Sequence, residues 1–507
     1  MSIFSFAKFG YEGSLINVEV DLRRGIPAVD IVGLADAAVA ETRGRVRTAI
    51  RNQGLEFPSE RVLISLSPAD LRKDTPMDVA IALGILQSNY SGPDVLVVGE
   101  LELSGVLRPV TGINAASHTA FSSGIKHIIC PKTSVAEAYI EGACVYGVEN
   151  LHDAYTVLGA LQVSDLSTLA LYRYKVDVDV TANKEIINGV MFPKIPEGEI
   201  TFDTANEKGL EALTVAVTGH HHLLFTGAPG CGKTLLAQSS MWLTPCNTIE
   251  EAQSVTRIHS LAGLLNPKTN IKIDKPFRMP YQTATIEGVC GGGPNCRPGE
   301  ISLAHNGILL LDEAAEFRSS VLQMLRVPLE SHQITLSRAG RSTSYPAHFQ
   351  LMLTTNPCPC GNYGNDKKIC LCSARSIDQY WKKFSAPLLD RIGIRVNIDA
   401  SDEKIEFNVD ALREIVARGT VAQRKRGFYN EDATPMQIQE LLGNCTEYIR
   451  NYIDRISEKN MFSDRRRVEL IKLSQTIADM WYDSGIVADA VDMAAKMMNL
   501  GIDTFVD

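Results

Sequence analysis

The sequence predicts an α/β chain in three parts: a mixed N-terminal domain, a doubly wound parallel-sheet core and an all-helical C-terminal domain. Three observations predict it. Short β-rich runs alternate with helical stretches over the first 160 residues or so. Near-continuous apolar runs in HLLFT, GILLLDE and FQLMLTTN suit strands covered on both faces. From residue 405 onward apolar residues recur at helical spacing with few strand signals. The length of 507 residues fits roughly three domains at about 150 residues each.

In order along the chain, LINVEVDL, VLISLSP, DVLVVGEL and HIICP read as strands, and AAVAETRGRVRTAIRNQG and MDVAIALGILQ as helices, giving a domain over 1–165. The polar stretch 166–195 reads as a linker. The core is expected over 196–400, with a cysteine-rich loop at 358–372, and a helical lid over 401–507. Helical spacing there is carried by DALREIVARG, PMQIQELLGNC, RRRVELIKLSQTIADM and IVADAVDMAAKMMN.

Apolar residues at 45% and charged residues at 21% exclude disordered and fibrous classes. With Lys plus Arg at 50 against 59 for Asp plus Glu, the net charge is −9. Any nucleic-acid contact must therefore come from a local basic feature and not a general positive coat. No run approaches the ~18 apolar residues of a membrane span, and the N-terminus lacks a leader pattern, so a cytoplasmic protein with reduced cysteines is expected.

The strongest motif is Gly227-Ala228-Pro229-Gly230-Cys231-Gly232-Lys233-Thr234 between an expected strand and an expected helix. Glycines let successive backbone N–H groups approach phosphate oxygens, and the helix N-terminus adds its positive end. Lys233 would bridge the β- and γ-phosphates and Thr234 would ligate Mg²⁺. About 80 residues on, four apolar residues deliver Asp312 and Glu313 at a strand end. There Asp312 can hold the metal and Glu313 can polarise a water. Together the two motifs specify hydrolysis of a nucleoside triphosphate. Asn356, ending the next strand, would either orient that water near the γ-phosphate or be an ordinary strand-end turn residue. Arg391, after the apolar PLL, would either pair with Asp390 on the surface or reach a neighbouring subunit's triphosphate.

Cys358 and Cys360, with Cys370 and Cys372, put four thiols in one short polar loop. A structural Zn²⁺ would staple it; four reduced thiols without metal are the rival reading. Cys290 and Cys296 read as loop residues, and His220, His221 and His222 as packing residues ahead of a strand.

KPFRMPYQTA, GGGPNCRPGEISLAHNGILLLDEAAEF, LRVPLESHQITLSRA, TTNPCPCGNYG with CLC, and SAPLLDRI resemble the ComM/YifB family of magnesium chelatase-like AAA+ ATPases. VDIVGLADAAVAETRGRVRTAIRNQGLEFP, LSPADLRKDTPMDVAIALGIL and GELELSGVLRPVTGI are similar to that family's N-terminal domain of Lon-protease-like (ribosomal S5 domain 2-like) fold. The resemblance implies a homo-hexameric ring with ATP between subunits. It puts Asn356 at sensor 1, Arg391 at the arginine finger and Arg465 at sensor 2. It also implies a DNA helicase promoting branch migration in natural transformation, with the hairpin carrying Arg338 and Arg341 facing the pore. Three departures mark a divergent member. Tyr281 and Gln282 stand where the family usually has two histidines, Asp203 to Gly209 replaces a Val-x-Gly-Gln turn, and Arg466, Arg467 and Glu469 replace a more neutral pattern.

Other classes fit less well. A serine peptidase is disfavoured because Asp78 has no nearby serine and GVLRPVTGINAASHTA has no lysine. A chelatase-like motor acting on a protein or metal-insertion partner remains the alternative, and an ATP-dependent scaffold is disfavoured by intact Glu313 and Arg391.

Overall fold

The computed structural model describes residues 2–499 apart from 34–35, 69–76, 176–180, 182, 196–203, 267, 339–340, 365–367, 399–403, 407 and 483–484. The expected entry to the core at 196–203, and the stretch 69–76 on which part of the peptidase argument fell, lie outside the described residues.

Alternating apolar and polar residues in Ser14–Arg23 make it a strand with one face in the core. It pairs antiparallel with both Ile3–Ala7 and Arg61–Ser67. The seven-stranded N-terminal sheet runs in the order Val29–Val32, Arg61–Ser67, Ser14–Arg23, Ile3–Ala7, Val95–Val97, His127–Pro131 and Cys144–Val148. The helix Asp78–Leu86 is apolar on nearly every side and buried throughout to Ile85, as expected of a helix enclosed by its own domain. Asp78 at its start is held by Arg45 at 3.0 Å.

The core is a five-stranded sheet in the order Phe277–Arg278, Gly307–Leu311, Phe349–Thr355, Leu223–Thr226 and Ile394–Asn397, and every pair is parallel. Gly307–Leu311 and Phe349–Thr355 are buried at every residue, so their apolar runs reflect cover on both faces. Fully burying each such leucine contributes about 1.5–3 kcal/mol. Because all five strands point the same way, the sheet has one carboxyl edge and one amino edge.

Of the lid helices Val409–Arg426, Pro435–Gly443, Glu447–Lys459, Asp464–Trp481 and Ala488–Met498, two show why they start where they do. Thr434 and Gln437 form a capping box with Pro435 in the first turn. Ser463 accepts the Arg466 N–H to begin Asp464–Trp481. Leu213, Val396, Ile477 and Val491 share one apolar cluster, so lid and sheet are packed as a single core.

The span expected as a linker, 166–195, holds a helix, Leu166–Tyr172, and a hairpin, Lys184–Ile187 with Val190–Pro193. Val190 and Phe192 are buried in the core cluster. Arg413 of the lid ties the hairpin down, donating to Glu185 Oε2 at 2.8 Å, Pro193 O at 2.7 Å and Trp242 O at 2.9 Å. Each nitrogen of its buried guanidinium thus has a hydrogen-bond partner, the condition for keeping such a charge out of water.

Candidate nucleotide site

The strand Leu223–Thr226 ends at the carboxyl edge and the chain turns through Gly227–Gly232 into the helix Lys233–Leu243. Gly230 and Gly232 have φ of +81° and +93°, conformations that L side chains rarely adopt. Lys233 is folded back over the loop, donating to Gly227 O at 2.7 Å, Ala228 O at 2.9 Å and Asn356 Oδ1 at 3.3 Å. Burial pushes its ammonium pKa down, opposed chiefly by Cys231 and then by Asp312 and Glu313. An anionic ligand in the loop would favour the charged form.

Thr234 Oγ1 lies 2.7 Å from Asp312 Oδ1. The hydroxyl of Thr354 donates to the same oxygen at 2.6 Å and accepts the Glu313 N–H at 3.0 Å. Glu313 adopts φ +50°, a left-handed conformation that costs a non-glycine residue on the order of 1–3 kcal/mol. The bond to Thr354 helps to hold it there. Gln282 Nε2 donates to Glu313 Oε2 at 2.9 Å, whereas neighbouring Tyr281 is 87% exposed. The glutamine that departs from the family pattern therefore touches the carboxylate expected to polarise water.

The four thiols also meet. Cys358 Sγ lies 3.4 Å from Cys360 Sγ and 3.7 Å from Cys370 Sγ, and Cys360 and Cys370 are 3.6 Å apart. All four sulfurs fall within 4.8 Å of one another. A tetrahedron with Zn–S bonds of ~2.3 Å has edges of about 3.8 Å, so the donor set fits. The Asn362 backbone N–H and then the Cys358 thiol draw Cys360 down to about 6. A Cβ on Gly361 would lie 2.6 Å from Pro229 Cδ, so this loop rests on the phosphate loop.

Arg391 and Arg465 do not join this group. Arg391 precedes Ile394–Asn397 and so lies toward the amino edge. It is 8% exposed, and its guanidinium bonds Glu330 and the Pro387 carbonyl. Arg465 Nη1 lies 3.5 Å from the same Glu330 oxygen. Arg338 is exposed on the hairpin Gln333–Arg338/Arg341–Pro346, whereas Arg341 sits over the Phe9 ring at 3.7 Å.

Residues 203–405 match the family described as magnesium chelatase, subunit ChlI, and residues 18–134 match subunit ChlI of Mg-chelatase. The chain is 31% identical over 497 residues to competence protein ComM of Haemophilus influenzae, covering 94% of this chain and 93% of that one. It belongs to the ComM/YifB family of magnesium chelatase-like AAA+ ATPases. It is also 32% identical over 495 residues to YifB of Escherichia coli, covering 94% of this chain and 92% of that protein. An uncharacterized protein of Mycobacterium tuberculosis is 36% identical over 439 residues, covering 83% of each chain.

Within this family member, three contacts went unforeseen. Thr354 could have been found from register, since Leu311 pairs with Leu353 and the next residues are Asp312 and Thr354. Glu330, which gathers both arginines, carries no signal in LRVPLESHQ. The seat of Gly361 on Pro229 needs the folded loop. Among the described residues no helix is long and apolar enough to cross a membrane.

Proposed function

We propose that this family member is an ATP-hydrolysing motor that assembles as a hexameric ring, cleaves ATP at the seam between protomers and uses the cycle to move DNA. One observation carries the seam. Arg391 lies at least a full strand, roughly 10 Å at ~3.3 Å per residue, from the carboxyl edge where its own phosphate loop begins. A cation at the amino edge cannot serve its own loop but can serve that of a neighbour. Arg465, drawn to the same Glu330, would act from the same side.

Gly227 to Gly232 would cradle the triphosphate with backbone N–H groups, and Lys233 would exchange its carbonyl partners for β- and γ-phosphate oxygens. Thr234 and Asp312 offer the hard oxygen donors that suit Mg²⁺, which when bound supplies charge neutralisation at those phosphates. Glu313 would take a proton from water as the oxygen attacks the γ-phosphorus and the bond to the β-bridging oxygen breaks, with Asn356 orienting that water. Arg391 from the next protomer would stabilise the charge that develops. Cys358, Cys360, Cys370 and Cys372 would hold a structural Zn²⁺ that stiffens the loop behind Pro229.

The DNA cargo rests on the ComM likeness and on exposed Arg338, repeated around a ring as a positive lining. The competing reading, a motor acting on a protein or metal-insertion partner, rests on the magnesium chelatase match. ATP turnover measured with and without single-stranded or branched DNA, beside unwinding of a forked duplex, separates them. Stimulation with strand displacement is expected; neither effect would move the assignment to the chelatase-like motor.

A further inference from the structure

Six of the chain's ten histidines, His220, His221, His222, His305, His332 and His348, fall just before core strands or beside them at the amino edge. We propose that His332 and His348, with Asp432, form a divalent metal site taking Zn²⁺ or a comparable first-row cation, which ties the lid to the core beside Glu330.

The three donors come from three segments. His332 lies between the turn Pro328–Ser331 and the hairpin, with φ +53°, and its carbonyl accepts the Ala347 N–H at 2.8 Å, which brings it level with His348. Asp432 ends the turn Asn430–Asp432 in the lid. His348 Nε2 lies 2.9 Å and 3.0 Å from the two Asp432 oxygens. His332 Nε2 lies 3.9 Å from Asp432 Oδ1, and the two imidazole rings are 4.8 Å apart at 74°. One ligand atom from each residue falls within 4.8 Å of the others.

A hydrogen-bond chain sets the histidine for this role. Asn306 Nδ2 donates to Glu251 O at 3.2 Å and to Ser254 Oγ at 3.4 Å, which turns Asn306 Oδ1 toward His348 Nδ1 at 3.3 Å. Nδ1 thus has Asn306 Oδ1 as its acceptor, and Nε2 faces the Asp432 carboxylate. Outer-shell hydrogen bonds fix metal-binding imidazoles in this way. Two acceptors 2.9 Å apart repel unless a proton or a cation lies between them. A proton joins only one histidine to the carboxylate, whereas a cation also satisfies His332.

Two imidazoles and one carboxylate favour Zn²⁺ and its neighbours over Mg²⁺ or Ca²⁺. The side chains are 47%, 24% and 24% exposed for His332, His348 and Asp432, leaving an entry path and room for water ligands. His332 is two residues from Glu330, so an ion here would stiffen the segment that holds Arg391 and Arg465.

The test titrates chelator-stripped full-length protein with Zn²⁺ against a chromophoric competitor, and with Co²⁺ by absorption. The thiol loop is told apart because only thiolate ligands give Co²⁺ an intense sulfur charge-transfer band. The double variant His332→Ala/His348→Ala is expected to bind one equivalent fewer than wild type with that band unchanged. Cys360→Ser/Cys370→Ser is expected to lose the band and keep a non-thiolate Co²⁺ spectrum. His332→Ala alone, at an exposed residue, leaves the His348–Asp432 pair and should weaken the site at least tenfold. Equal stoichiometry and affinity in wild type and both histidine variants would overturn the proposal and leave a metal-free ion pair.

Discussion

The two edges of the core sheet are built from the same five strands and carry opposite chemistry. At the carboxyl edge a glycine-rich loop, Lys233, Thr234, Asp312 and Asn356 are joined by hydrogen bonds, which the proposed nucleotide and its metal would replace. At the amino edge, histidines and charged side chains from core and lid are bonded to one another. His221 Nδ1 lies 2.7 Å from Glu431 Oε2 and its Nε2 lies 2.7 Å from Thr476 Oγ1, while Lys472 reaches Glu431 O at 2.5 Å and Glu469 at 3.2 Å. Under the proposed function one edge would exchange its partners and the other would keep them. In a ring, Arg391 on the fixed edge would meet the exchanging edge of the next protomer.

The largest effect belongs to the exchanging edge. Glu313→Gln removes the base but keeps the shape and the Thr354 contact to its backbone, so turnover should fall on the order of 10²–10⁴-fold while ATP binding persists. Nucleotide affinity and steady-state hydrolysis, measured side by side, check this. Unchanged turnover would leave Glu313 as only a strained turn residue paired with Gln282.

Next comes the link between the edges. Arg391→Ala should lower turnover by roughly 10³-fold, inside the range set for Glu313, if the guanidinium acts on a neighbour's triphosphate. Mixing it with Lys233→Ala should restore part of the activity, because some seams then pair an intact loop with an intact arginine. If mixing restores nothing, Arg391 works only inside its own chain, on Glu330 and the Pro387 carbonyl.

The edges also differ in how far the sequence discloses them. Gly230 and Gly232 are demanded by positive φ, and Lys233 and Thr234 must follow at fixed spacing, so the loop is readable without a structure. Asp312 and Glu313 are readable because an unbroken apolar run has to end somewhere. Thr354 is not, since a threonine at a strand end is ordinary until register sets it beside Asp312. His332, His348 and Asp432 are further out of reach, because only strand order and lid packing join positions so far apart in the chain. The hairpin within 166–195 was hidden for a related reason. Val190 and Phe192 are its buried apolar anchors, too few to show a period, and its polar ties run from Lys184 to Asp274 and from the hairpin to Arg413, which is more than 200 residues away in the sequence.

The smallest effect tests the permanence of the amino edge through pH. Burial lowers His221 to about 4 and His222 to about 3 from an ordinary value near 6.5. Below pH 6.5 the unfolded chain therefore takes up protons that the folded chain refuses. Stability is fully present above that pH and is lost as pH falls toward 4 and then 3, by up to about 1.4 kcal/mol per pH unit for each histidine. Glu469 works the other way. Burial, together with Glu431, raises it to about 7, so it is protonated in the fold before it is in the unfolded chain and costs stability as pH rises from 4.5 to 7. Between 4.5 and 6.5 two histidines oppose one carboxyl, and the net slope still favours the higher pH. Below 4.5 Glu469 no longer opposes them and the slope steepens. Denaturant midpoints at pH 7, 5.5 and 4 should fall in that order, with the larger drop in the second interval. His222→Gln should flatten the curve, because an amide in that place has no proton to gain. A midpoint independent of pH across this range would mean that the histidines of the amino edge are hydrated, and that this edge exchanges partners as readily as the other.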